Sequence, residues 1–163
     1  MKPFAAWDER DLYFTLERLQ ADYIQCIDSG ELERWPQFFV EDCVYRVIPR
    51  ETFDMGLPAP VIYCDNRRML IDRVTSLQRA NIYQPHYYRH LVSGAQILER
   101  GDEQVVMQTN YVVFQTLQDG ETSLYQAGRY LDTVVNFEGR LRFREKHVVF
   151  DTSRVQTLLA TPI

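Results

Sequence analysis

Three turn signals, Gly101-Asp102, Asp119-Gly120 and Glu138-Gly139, stand at even intervals in the second half of the chain and divide everything after His86 into four long strands. Strands joined by such short turns form an antiparallel meander. An arm of roughly 15 residues would reach about 50 Å if straight, more than one domain of this size spans, so the strands must bend. Gly94 and Gly128 fall inside them, where a glycine marks a bulge or kink, and between Glu103 and Leu117 the apolar phase slips from Val105, Met107 and Tyr111 to Val112 and Phe114. The expected object is a strongly curved sheet wrapped around whatever the first half supplies.

The first half supplies helices. From Asp8 to Ser29, Leu12, Leu16, Leu19, Tyr23 and Ile27 recur at spacings that place them on one helical face, and Ser29-Gly30 ends the run. A short second helix is predicted over 31–39, with Leu32, Trp35 and Phe38 on one side and Pro36 in its first turn. Cys43 to Ile48 reads as a strand, Pro49 to Pro60 as an irregular crossing loop, and Val61 to Asp65 as a short strand. Leu70, Val74 and Leu77 then predict a helix within 66–81, capped by Asp65 or Asn66. The 163 residues are expected to form one α+β domain, 1–163, around one core.

The last strand alternates cleanly. Leu141, Phe143, Glu145, His147 and Val149 share one side, and Arg140, Arg142, Arg144 and Lys146 the other. The basic row reads either as a solvated outer face or as a surface that docks on an acidic partner.

A net charge of -5 and a pI near 5.2 provide no footprint for nucleic acid and no attraction to anionic lipid, so neither is an expected partner. Charges at Asp8, Glu9, Arg10 and Asp11 interrupt any signal-peptide core, and no apolar stretch reaches membrane-spanning length. Cys26, Cys43 and Cys64 are odd in number and have apolar neighbours, as reduced thiols in a cytoplasmic protein do.

Candidate chemistry is sparse. No dinucleotide, phosphate-loop, nucleophile-elbow or C-x-x-C motif is present. His86 and His90 are spaced as helical metal ligands would be, but they begin a strand, where four residues span roughly 13 Å and cannot close on one ion. Glu145 and His147 project from one otherwise apolar face, as a general acid and base or as a buried ion pair would. Asp28 reads as a helix-end residue and Asp72 as a partner for Arg73. The abundance of aromatics, 10 Tyr and 9 Phe, suits a core and an interface equally.

Helix, short helix, strand, loop, helix and curved meander is the plan of the cystatin-like, cone-shaped fold shared by nuclear transport factor 2 (NTF2) and ketosteroid isomerase relatives. Three stretches narrow the resemblance: YIQCIDSGELERWPQFFVEDCVYRVIPR from Tyr23 to Arg50, DNRRMLIDRVTSLQRANIYQPHYYRH from Asp65 to His90, and the later segments Gly128 to Asp132 and Lys146 to Asp151. In these, over nearly its whole length, the chain resembles the small (beta) subunits of aromatic-ring-hydroxylating dioxygenases, most of all those acting on aromatic carboxylates of the terephthalate and salicylate kind. Tyr83 departs from the Trp that many hydrocarbon-oxidising relatives carry.

The resemblance implies a non-catalytic chain with no cofactor of its own. It implies a large alpha subunit holding a Rieske [2Fe-2S] cluster and a mononuclear iron, an alpha3beta3 assembly in which the beta chains associate as a trimer, and separate reductases that deliver electrons from NAD(P)H. No catalytic or metal-ligating residue is carried over. Tyr83, Arg89, Arg140, Arg142, Arg144 and Lys146 are the expected interface residues. The alternative reading is a stand-alone cone-fold dehydratase or isomerase, or a small-molecule binding protein, with His90, Glu145 and His147 as the acid and base of an internal pocket.

Overall fold

The computed structural model describes residues 3–79, 86–152 and 161–163. Asp8 caps the first long helix, α1 (Glu9–Asp28), its Oδ1 accepting the backbone N–H groups of Arg10 at 3.0 Å and Asp11 at 3.2 Å. Leu12, Leu16, Leu19, Tyr23 and Ile27 are all buried along the face that the spacing predicts. Gly30, at φ +71°, turns the chain out of the helix, a conformation that costs glycine little.

The predicted second helix shrinks to a single 3₁₀ turn, Trp35–Phe38, because Pro36 lacks an N–H and the chain must be extended again by Phe39. Trp35 nevertheless buries fully against Phe39 and Tyr45. Strand β1 (Phe39–Pro49) leads into a short helix, α2 (Arg50–Asp54), in the stretch read as loop, and then into β2 (Ile62–Cys64). Asn66 caps α3 (Arg67–Arg79), its Oδ1 accepting the Met69 N–H at 2.9 Å.

Among the described residues five strands, not four, follow: β3 (His86–Val92), β4 (Gln96–Arg100), β5 (Gln104–Leu117), β6 (Thr122–Phe137) and β7 (Arg140–Phe150). Gly94 separates β3 from β4 instead of kinking one long strand; Tyr13 Oη lies 2.7 Å from where its Cβ would be. Both strands pair with β5, in a sheet ordered β2-β1-β7-β6-β5-β3. Every pairing is antiparallel except β1 with β7, which is parallel.

The expected phase slip in β5 does not occur. Val105, Met107, Thr109, Tyr111 and Val113 are buried in unbroken alternation, and the extra residue belongs to β6, where Tyr125 sits between partners of Phe114 and Val113. The slip appears in β7 instead. Phe143 pairs with Val134 and Glu145 with Thr133, so Arg144 is a bulge, and residues 40–43 of β1 face it from the other side. Past Arg144 the phase inverts: Lys146, Val148 and Phe150 turn to the core side, while Glu145, His147 and Val149 turn away. Lys146 is therefore no member of an outer basic row, and Glu145 and His147 do not face inward.

The curved sheet and the apolar faces of α1 and α3 enclose one continuous core, from Phe4 to Phe150 and Ile163. Tyr23 and Tyr45 both donate hydrogen bonds to the Ile163 carbonyl, at 2.9 and 3.3 Å, which pins the chain's end into this core. Among the described residues no helix is long and apolar enough to cross a membrane. At Gly128 the neighbouring strand comes so close that a Cβ would lie 2.1 Å from the Val149 carbonyl oxygen. Gly128→Ala is expected to cost about 2–3 kcal/mol in urea unfolding, because β7 backbone must move. The same change at Gly101, whose Cβ would lie 3.5 Å from the nearest carbonyl oxygen, should cost far less.

Candidate functional site

The inward turn of Lys146 creates the most charged point of the interior. Its Nζ lies 2.8 Å from Asp132 Oδ2, both side chains being 0% exposed, and donates to Gln20 Oε1 at 3.2 Å. Three rings surround the ammonium, Tyr130 at 4.1 Å, Phe143 at 4.3 Å and Tyr23 at 4.5 Å from their centroids. Burial pushes the Asp132 carboxyl up and the Lys146 ammonium down, and each charge offsets the other's shift. The sequence motifs behind the family resemblance contained both partners, Asp132 closing the Gly128 stretch and Lys146 opening the next one. Only the register of β6 against β7 shows that they meet.

A second buried pair was not legible as such. Asp28, at the end of α1, spans the free edge of β3: Oδ2 accepts the His90 N–H at 3.0 Å and Oδ1 lies 2.6 Å from His90 Nδ1. This fixes a hydrogen on Nδ1 and ties the helix end to an edge strand that would otherwise present an unpaired donor. His90 Nε2 has no partner among the described residues. Arg89, 66% exposed, approaches the same carboxylate at 3.8 Å.

Glu145 and His147 occupy the opposite face of the sheet from His90. Arg46 Nε donates to His147 Nδ1 at 3.0 Å, and His147 Nε2 lies 3.1 Å from Glu145 Oε2, so the ring accepts at one nitrogen and donates at the other. Phe53 of α2 packs edge-on against it, ring centres 6.3 Å apart. Burial, followed by the Arg46 charge, holds His147 below the ordinary histidine value despite Glu145. Glu145 and His147 thus meet each other but not His90, which is held by Asp28 on the other face, and the three do not line one internal pocket.

These donors do not fit a cluster or a mononuclear iron. The chain has three histidines. Both ring nitrogens of His147 and the Nδ1 of His90 are engaged by protein groups, and these two rings lie on opposite faces. The cysteines are buried, and burial pushes the Cys26 thiol up to about 11 and that of Cys43 to about 12, away from the thiolate a cluster needs. Among the described residues no group of three or more His, Cys, Asp or Glu is placed to hold a metal ion.

The expected interface residues are scattered by the bulge. Arg140 and Arg142 flank a pocket of about 240 Å³ beside α1. Arg144 lines a separate, acidic cleft of about 620 Å³ with Glu41, Asp42, Asp102 and Glu103. Lys146 is buried and cannot reach a partner, and Tyr83 lies outside the described residues.

The model of the ring hydroxylating beta subunit family matches residues 24–157. The chain belongs to that family. This beta subunit is 50% identical over 156 residues to the anthranilate 1,2-dioxygenase small subunit of Burkholderia cepacia, covering 96% of this chain and 97% of that one. It is 38% identical to the terephthalate 1,2-dioxygenase terminal oxygenase component subunit beta 2 of a Comamonas species, over 88% and 93% of the two chains. Among solved structures it is similar to a protein from Novosphingobium aromaticivorans described as the beta subunit of an aromatic-ring-hydroxylating dioxygenase. That match has TM-score 0.87 and 45% identity, over 94% and 98% of the chains. A protein described as a scytalone dehydratase from the same organism shares the cone fold alone, with TM-score 0.69 at 17% identity over 91% and 89% of the chains. The α+β, NTF2-like architecture and the family read from the sequence are both found, and the chain is a dioxygenase beta subunit.

Lys146→Met is expected to destabilise the beta subunit by about 3–5 kcal/mol, since it strands the buried Asp132 charge. Lys146→Met with Asp132→Leu should recover most of that loss in urea unfolding; strictly additive losses would contradict an obligate pair. A histidine whose folded value lies below its unfolded one binds fewer protons when folded. Its contribution is therefore complete above about pH 6.5 and is lost as the pH falls below that. Between about pH 7.5 and about pH 5.5 the wild-type urea midpoint should drop further than that of His147→Gln.

Proposed function

We propose that this beta subunit is the structural, non-catalytic chain of an oxygenase whose large subunit supplies the Rieske [2Fe-2S] cluster, the mononuclear iron and the pocket for an aromatic carboxylate. The observation that supports this most is the internal commitment of its polar groups. Lys146 with Asp132 and His90 with Asp28 are bound to each other inside the core, and His147 is held between Arg46 and Glu145 on the other face. Such groups hold a shape; they are not poised to exchange protons with a substrate.

The near full-length likeness to small subunits named for anthranilate and terephthalate 1,2-dioxygenases supports a ring-bearing carboxylate as the substrate of the assembly. In this reading the whole chain is one domain, works in the cytoplasm, and joins its large partner as alpha3beta3, with reductases passing on electrons from NAD(P)H. Arg89 on the edge strand and Arg140 and Arg142 on the pocket remain as its proposed contact residues, together with Tyr83.

The test is expression of the chain alone and together with its large subunit. Iron and turnover of an aromatic carboxylate such as anthranilate are expected only in the joint complex. Iron bound stoichiometrically by the lone chain, or turnover by it, would refute the proposal.

A further inference from the structure

Residues 161–163 enter the core without joining a helix or a strand. Ile163 is 0% exposed, and two tyrosine side chains hold its main chain. Its carbonyl accepts from Tyr23 Oη at 2.9 Å and from Tyr45 Oη at 3.3 Å, and its N–H donates to Tyr45 Oη at 3.1 Å. Among the described residues no main-chain hydrogen bond ties the segment to the sheet. A piece of chain seated by two hydroxyls opens at lower cost than one built into a strand ladder. Thr161, nearer the surface, forms part of the wall of a pocket of about 310 Å³ together with Leu32, Leu77 and Tyr88. Withdrawing the segment would join that pocket to the interior.

The seat of Ile163 has a definite chemistry. Two hydroxyls converge on one oxygen, and the rings that carry them belong to an aromatic cluster: Tyr23 meets Phe143 at 5.4 Å and Tyr45 meets Trp35 at 5.1 Å, both edge-on. Burial pushes the Tyr45 hydroxyl up to about 12, although the Ile163 hydrogen bond and the Arg73 charge act the other way. The spot therefore resists added negative charge. Burial also raises the hydroxyls of Tyr111 and Tyr130, and Tyr45 is near enough to add to both shifts. Tyr130 is fully buried and stacks on Tyr111 at 4.3 Å. Its hydroxyl, and that of Thr109 opposite it, have no partner among the described residues. The interior beside Ile163 thus offers more hydrogen bonding than the segment uses.

We propose that the seat of Ile163 is an internal binding site for a small neutral aromatic molecule with a carbonyl oxygen, and that residues 161–163 are its displaceable plug. The ligand's ring takes the place of the Ile163 side chain within the aromatic cluster. Its oxygen accepts the two hydroxyl hydrogen bonds that the Ile163 carbonyl gives up. No covalent bond forms or breaks, so the site binds without catalysing. This inference goes beyond the subunit reading and does not depend on it, since binding is read on the lone chain.

Titration calorimetry of the full chain with benzamide, benzoate and toluene is the test. Benzamide is expected to bind at least about tenfold more tightly than toluene, which lacks the oxygen, and than benzoate, which brings a charge. The Ile163 amide proton should exchange faster by NMR as benzamide saturates, because ligand and plug exclude each other. Ile163→Ala, which weakens the plug, should bind benzamide about tenfold more tightly than wild type. Tyr23→Phe/Tyr45→Phe loosens the plug and removes the donors together, so its readout is the preference for benzamide over toluene. That ratio does not depend on the plug and should vanish. Circular dichroism and urea unfolding establish that each variant is folded, and the wild-type titration and exchange stand without either. Failure of wild type to bind benzamide, tighter binding of benzoate, or binding that leaves Ile163 exchange unchanged would overturn the proposal. So would binding by Ile163→Ala alone, which assigns the site to the cavity that the substitution makes, or an undiminished benzamide preference in the folded tyrosine variant.

Discussion

Lys146 and Asp132 meet where no solvent reaches either, and much of the arrangement follows from that encounter. Two charges in a low-dielectric interior lose hydration that their mutual attraction repays only with good geometry and further hydrogen bonds, so such a pair is weak evidence for stability as such. Here the geometry is constrained from every side: α1 contributes Gln20 and Tyr23, β6 contributes Asp132 and Tyr130, and β7 contributes Phe143 and Lys146 itself. Sliding β6 against β7 by one residue would bury one charge without the other. The pair thus penalises wrong registers more than it rewards the right one.

The bulge at Arg144 is what makes the encounter possible. Without it, strict alternation from Phe143 would send Lys146 outward and bring Glu145 and His147 into the core. One inserted residue exchanges the two faces of the last strand. It also divides the arginines, leaving Arg140 and Arg142 on one pocket and Arg144 in the acidic cleft. The surface pattern and the interior chemistry are consequences of the same irregularity.

Much of the fold is legible in the sequence because it is encoded locally: the faces of α1 and α3, the cap at Asn66, the turn at Gly30, the evenly spaced hairpin turns. The bulge is not. His147, Val148, Val149 and Phe150 are all buried, so the end of β7 reads as apolar at both parities and carries no information about phase. Val112 and Phe114 misled in the same way, as apolar residues on the outer face of β5. The Asp28–His90 pair lies beyond local pattern altogether, its members 62 positions apart and joined only when the helix end reaches the sheet edge. The family could be read where single contacts could not, since the stretches that carry it contain these residues without showing what they touch.

The parallel union of β1 with β7 couples residues 39–49 to residues 140–150 at the centre of the sheet. Its closure draws together segments separated by most of the polypeptide, a slow and entropically costly event compared with zipping up neighbouring hairpins. During synthesis β1 must wait, its inner edge unsatisfied, until residues 140–150 have been made. A truncated product lacking β7 would have neither a finished sheet nor the pocket that Arg140 and Arg142 flank, so the two appear together and only when that strand is made.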